Sequence, residues 1–234
     1  MKPEIKSKVA AEFEAANFFS QIPAEIDGYT LKKILADDGD KFFYFAYENE
    51  TTHRSLKTYF HEETKEYKVL VAIGLAEFCL TEFFTEDFET FTKILAAELD
   101  ATIKKISAQI DPAEDYLIAD KNFSSWQYGQ TLKKNLEGFE LFIAPKNPVK
   151  ITNGSYIIIN YSDFENFCDL NIFYNVYGDN FSGEAQFGGV QHPLYIFDAV
   201  DLTQLENLLK ENLLPELKKI REEIFPPPNP QKII

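Results

Sequence analysis

Three histidines, two cysteines and 38 Asp and Glu side chains are the groups of this chain that could do chemistry. Their spacing decides what they can do. His53 and His61 stand eight residues apart, on either side of one expected strand, with Glu62 and Glu63 following. A metal centre needs converging ligands, and neither an HxxxH nor an HxH spacing sets these two on one face. No metal site is expected. His192 lies near Asp198, and such a pair can serve as a general base. It would need a nucleophile, and no GxSxG or reactive-cysteine motif supplies one. Neither a P-loop nor a GxGxxG opens a helix, so no phosphate cradle and no cofactor are expected. No residue is assigned a catalytic role, and the chain reads as non-enzymatic.

Binding is better supplied than catalysis. In the stretch Asp169–Tyr177 one alternating face is Leu170, Ile172, Tyr174 and Val176, a core face. The other is Asn171, Phe173, Asn175 and Tyr177, which mixes amides with aromatic rings. A related face earlier in the chain carries Lys57, Tyr59 and His61. Rigid rings with polar neighbours bury area while still hydrogen-bonding, the composition of a recognition surface. Trp126, the one tryptophan, stands in Ser124-Ser-Trp-Gln-Tyr128 as an eighth candidate for an interface. These eight residues are the expected binding set.

The elements that must position them recur. Asp87–Ile106 (DFETFTKILAAELDATIKKI) and Asp201–Ile220 (DLTQLENLLKENLLPELKKI) superpose their apolar positions at an offset of 114: Phe91 on Leu205, Leu95 on Leu209, Leu99 on Leu213, Ile103 on Leu217. The same offset carries back through Phe42–Tyr47 on Tyr156–Tyr161 and Gly74 on Gly188. Further upstream Thr30–Lys33 matches Thr131–Lys134 at an offset of 101, which places 13 extra residues (114 less 101) within 139–153. A repeat of this length constrains architecture before any motif does. Each copy is expected to be a helix, a four- to five-stranded antiparallel sheet with short turns, and a long C-terminal helix laid on the sheet: an α+β fold of two tandem pseudo-repeats. The boundaries are residues 1–110, residues 111–225 with the insertion, and a Pro-rich extended tail, 226–234. Residues 4–20 form the first helix, Asp87 or Thr85 caps the next, and Leu194–Phe197 is the last strand. Pro215 should kink or break the final helix. This general arrangement is similar to that of TATA-binding-protein-like folds and of secretion-chaperone-like domains, although the chain carries no motif of either family.

Composition bounds the partners. Net charge is −15, and apolar residues at 45% suffice for a sizeable core. No segment forms a basic stripe, so nucleic acid is disfavoured as a partner. No run approaches 18 apolar residues, so no membrane span is expected, and two cysteines suit a reducing, cytoplasmic setting. The expected function is that of an acidic protein-binding or chaperone-like module. The rival reading is a small-molecule binder or hydrolase with its site in the seam between the repeats.

Overall fold

In the computed structural model, which describes residues 1–108, 111–151, 154–188 and 190–224, the chain divides into two units, Met1–Ala108 and Gln109–Ile234. The first runs α1 (Pro3–Ala15), a 3-10 turn (Phe18–Ser20), β1 (Glu25–Ile26), β2 (Tyr29–Asp38), β3 (Lys41–Asn49), β4 (Arg54–His61), β5 (Glu66–Ile73), β6 (Ala76–Thr85) and α2 (Phe88–Ser107). Its six strands pair antiparallel in chain order, the meander that short turns dictate. The second runs two 3-10 turns (Ala119–Lys121, Phe123–Ser125), α3 (Gln127–Gln130), β7 (Asn135–Leu136), β8 (Phe139–Ile143), β9 (Val149–Lys150), β10 (Ser155–Asp163), β11 (Cys168–Asn175), β12 (Asn180–Phe187), β13 (Val190–Pro193), a 3-10 turn (Tyr195–Phe197) and α4 (Leu202–Ile224). Here seven strands form one antiparallel sheet in the order β13-β12-β11-β10-β8-β7, with β9 also paired to β10. The α+β class holds; the sheets have six and seven strands rather than four to five.

Turn chemistry explains the strand ends. Asp27-Gly28 and Glu137-Gly138 close two-residue hairpins with both residues at positive φ, the geometry that matches strand twist. Four-residue loops join β3 to β4, β4 to β5, β10 to β11 and β11 to β12, each ending on a left-handed residue: His53, Lys65, Phe167 and Asp179. The starts of β3, β4, β5 and β6 (41, 54, 66, 76) and of β10, β11, β12 and β13 (155, 168, 180, 190) all differ by 114. Within these strands the ladder slips once at Tyr44 between β3 and β4, and once at Ile158 between β10 and β11, again at that spacing.

The helices follow their apolar stripes. Asp87 Oδ2 accepts from the Thr90 N–H at 2.7 Å and caps α2; Thr85 Oγ1 accepts instead from the Asp87 N–H. Asp201 Oδ1 accepts from the Gln204 N–H while Gln204 Oε1 accepts from the Val200 N–H, a reciprocal cap for α4. Phe91, Leu95, Leu99 and Ile103 of α2 are buried, as are Leu205, Leu209, Leu213 and Leu217 of α4. Each such side chain contributes about 1.5–3 kcal/mol. α4 continues through Pro215 as one helix, so of the expected kink or break the break does not occur. The buried Leu213 and Leu217 flank Pro215, and burial of their stripe favours the helix on both sides of the missing hydrogen bond.

Other expectations need correction. Leu194–Phe197 is not a strand: Pro193 ends β13, and the apolar run that follows folds as a 3-10 turn. Among the described residues the helix expected to open the second unit is replaced by short turns, the 3-10 turns Ala119–Lys121 and Phe123–Ser125 and the four-residue α3. Thr30–Lys33 lies in β2 whereas Thr131–Lys134 precedes β7, so the 101-residue match is not an equivalence of elements. Residues 139–150 contain strands β8 and β9, which pair with β10 where the single strand β2 pairs with β3. Two residues (34 and 35) separate the paired Lys33 and Ala36, and five (144–148) separate the paired Ile143 and Val149. Pro145 and Pro148 in that second gap cannot donate to a ladder, so the strand parts in two. The Pro-rich tail lies outside the described residues.

One tyrosine in each sheet ties it to the chain that enters it. Tyr47 O–H donates to the Pro23 carbonyl, and Tyr161 O–H donates to the Lys133 carbonyl at 2.8 Å. Both rings are buried. Tyr47→Phe and Tyr161→Phe should each cost about 1 kcal/mol in denaturant unfolding, with no change of fold by circular dichroism.

Candidate functional site

The second unit concentrates its unusual chemistry on the sheet face opposite α4. Register fixes who sits there: Asp169 pairs with Gln186, Asn171 with Glu184 and Phe173 with Ser182, while Leu170 and Ile172 point to the core with Ala185 and Gly183. Asn160 and Ser162 join the polar face from β10. Asn160 Nδ2 donates to Asp169 Oδ2 at 3.0 Å and to Asn171 Oδ1 at 2.8 Å, and Ser162 Oγ donates to Asn160 Oδ1 at 2.7 Å. All four are buried, and Asp169 is fully so. A buried polar group needs its partners, yet among the described residues Asp169 Oδ1 meets none at full hydrogen-bond geometry, the Asn171 amide and the Gln186 N–H favouring the carboxylate only weakly. Burial, with the Glu184 carboxylate adding, pushes the Asp169 carboxyl up to about 6 against the hydrogen bonds from Asn171 and Asn160.

This polar ladder leads to a cleft of about 450 Å³ beside β12. Its walls are Phe173, Ser182 and Glu184 on the sheet, Pro193 at the end of β13, and Tyr195, Asp198 and Val200 on the returning chain. That return is anchored: Leu194 N–H donates to the Gly183 carbonyl at 2.8 Å, and Phe181 and Ala199 exchange both backbone bonds. Gly183 is required where the turn crosses. A Cβ there would lie 2.7 Å from the Phe197 ring and 3.1 Å from the Leu194 carbonyl oxygen. Tyr195 and Val200 are 78% and 72% exposed, an apolar rim at the mouth. Burial raises the Glu184 carboxyl above its ordinary value. Among the described residues no hydrogen bond or ion pair engages that carboxylate. A half-buried, unpaired carboxylate beside aromatic and aliphatic walls is suited to a cation carried on an apolar stem.

The eight expected binding residues divide. Phe173 lines the cleft and Asn171 belongs to the ladder. Asn175 Oδ1 accepts from the Tyr177 and Gly178 N–H groups, so it builds the β11–β12 turn, and the exposed Tyr177 stands on that turn. Trp126 is buried, with its Nε1–H donating to Glu206 Oε2 at 3.0 Å, and it packs the helix side. In the first unit Lys57 pairs with Glu77 at 3.5 Å, and the buried Tyr59 lies with its hydroxyl 3.3 Å from Cys79 Sγ. His61 sits 2.9 Å from Asp40. Sequence reasoning missed Glu184, Ser182, Tyr195 and Val200. The alternation of Asn180, Ser182, Glu184 and Gln186 placed them on the face of Phe173, but only once the β11–β12 register was known.

Comparison with known proteins finds no matching family model, no matching curated protein and no matching solved structure. The functional reading therefore rests on the chemistry of the cleft. Among the described residues no helix is long and apolar enough to cross a membrane.

Protonation of Asp169 gives the ladder a pH signature. Its folded pKa of about 6 exceeds the ordinary 3.8, so the folded chain binds more protons than the unfolded chain between about pH 4 and 6. Stability from this group therefore falls as pH rises through that window and stays lower above it. Asp169→Asn should flatten that part of the stability–pH curve in urea unfolding and raise stability at pH 7 by about 2 kcal/mol. An unchanged slope between pH 4 and 6 would count against a buried, proton-hungry Asp169.

Proposed function

We propose that this chain is a non-enzymatic protein-binding module whose second unit captures a basic side chain of its partner in the cleft beside β12. The observation that carries this reading is Glu184: a half-buried carboxylate without a cationic partner among the described residues, in the wall of an apolar-rimmed cleft that Phe173 also lines. An arginine or lysine side chain would supply the missing charge to Glu184 while its stem and π-face lay against Phe173 and Tyr195. The net charge of −15 favours encounter with basic partners. The cleft volume also lies in the range of small-ligand pockets, which supports a free organic cation as the second reading.

We infer in addition that the two units are divergent copies of one ancestral unit. The common 114-residue spacing of strand starts, of the Tyr44 and Ile158 ladder slips and of the buried helix positions supports this. So does an Asn-Phe pair that opens each 3-10 turn: Asn17 and Asn122 are both left-handed, and their carbonyls accept from Ser20 and Ser125. On this reading the copies kept their core faces and diverged on the opposite ones.

Titration with acetyl-arginine amide, followed by amide NMR shifts, tests the cleft. Shifts should centre on Phe173, Ser182, Glu184 and Tyr195, and Phe173→Ala and Glu184→Gln should each weaken binding about tenfold, as loss of a desolvated charge or ring contact does. Acetyl-norleucine amide, which keeps the stem without the charge, should shift these signals little. If the uncharged analogue binds as well, the proposal is wrong. If flanking peptide residues add nothing to the affinity, the small-cation reading prevails over the partner reading.

A further inference from the structure

The first unit brings three potential metal ligands together at one corner of its sheet. Asp40 lies in the β2–β3 turn, His61 ends β4, and Glu63 lies in the β4–β5 turn. One ligand atom from each falls within 4.8 Å of the others. Backbone bonding holds the corner: the Glu62 N–H donates to the Asp40 carbonyl at 2.8 Å, and Lys41 pairs with His61 across the ladder. His61 Nε2 and Asp40 Oδ2 are already 2.9 Å apart, close to the separation of about 3 Å for two cis donors on one small divalent ion.

The neighbouring charges single out the same residues. Glu62 is engaged by the Lys2 N–H and lies 3.8 Å from the N-terminal amine, Glu66 pairs with Lys68 at 2.9 Å, and Asp37 pairs with Lys6. Among the described residues no lysine or arginine pairs with Asp40 or Glu63. The second unit supplies the contrast. The residues 114 further on are Gly154, Asn175 and Tyr177, none of them a strong ligand, and a Cβ on Gly154 would lie 2.3 Å from the Tyr177 ring. There a ring fills the corner that three donors surround in the first unit.

We propose that Asp40, His61 and Glu63 bind a first-row divalent cation of the zinc type, with water completing its coordination. One imidazole and two carboxylates suit such an ion better than calcium or magnesium, which take oxygen ligands alone. Coordination uses His61 Nε2 and needs the proton on Nδ1, where Thr64 Oγ1, 3.0 Å away, accepts it. In the metal-free tautomer Nδ1 instead accepts from the Thr64 N–H at 3.3 Å and Nε2–H donates to Asp40. Binding therefore moves one proton between the ring nitrogens and releases none from a neutral His61.

Zn²⁺ titration of the full chain by calorimetry, with ¹⁵N-histidine NMR at matched points, tests the site. One equivalent should bind, and at saturation the His61 Nε2 signal should move while those of His53 and His192 stay. Asp40→Asn and Glu63→Gln should each weaken binding about tenfold or more, His61→Ala should abolish the one-equivalent step, and His192→Ala should leave it unchanged. Both carboxylate variants are isosteres at exposed side chains, so either alone decides the matter if the other folds poorly. Absence of binding, or binding that survives His61→Ala with the same stoichiometry and affinity, overturns the proposal and identifies a diffuse acidic surface instead.

Discussion

Strand register is the constraint on which the rest of this molecule depends. In an antiparallel meander a slip of one residue exchanges the two faces of a strand, so every core and every site residue hangs on the turns. The chain fixes its turns with left-handed residues: Asp27-Gly28 and Glu137-Gly138 in the tight hairpins, then His53, Lys65, Phe167 and Asp179 at the ends of the longer loops. With register set, Leu170, Ile172 and Tyr174 fall on the core face with the buried leucines of α4, and Asp169, Asn171 and Phe173 fall opposite. The ladder slip at Ile158 serves the same end. Beyond it Asn160 and Ser162 stand beside Asp169 and Asn171, and the four side chains form one hydrogen-bonded group.

The proposed site lies where that order is least economical. A core face tolerates only apolar side chains of the right volume, so Phe91, Leu95, Leu99 and Ile103 have close counterparts in Leu205, Leu209, Leu213 and Leu217. The opposite face is buried in part as well, but it admits polar side chains that hydrogen-bond to one another. On it the second unit buries an aspartate with one poorly satisfied oxygen and, among the described residues, leaves Glu184 half-buried without a cation. Both arrangements cost stability, and the proposed capture of a cation in the cleft would offset the second. The first unit differs in kind: its corner gathers Asp40, His61 and Glu63 on two turns, and its sheet carries the Tyr59–Cys79 contact instead of an amide ladder.

What the sequence disclosed follows from how local each signal is. Helix stripes were legible because a 3.6-residue period shows within one segment, and the Asp87 cap because its partner is three residues away. The strands β3 to β5 and β10 to β12 were legible through alternation and turn residues. Leu194–Phe197 misled because a short apolar run fits a strand and a 3-10 turn equally, and only the register shows that Pro193 ends β13. The Thr30 and Thr131 match misled because two identical tetrapeptides carry no register. Glu184 and the corner at His61 were hidden for a different reason. Each depends on residues from separate strands or turns that meet only after the ladder forms, so no spacing within one segment announces them. Phe173 was found because its own strand displayed the mixture of ring and amide.

The central claim is that Glu184 is a desolvated carboxylate awaiting a cation. Its carboxyl ¹³C shift, followed against pH in the free protein and again with saturating acetyl-arginine amide, reports this directly. The account predicts a midpoint above the ordinary 4.5 in the free protein and a fall when the cation binds. An ordinary midpoint that the cation does not move would contradict it.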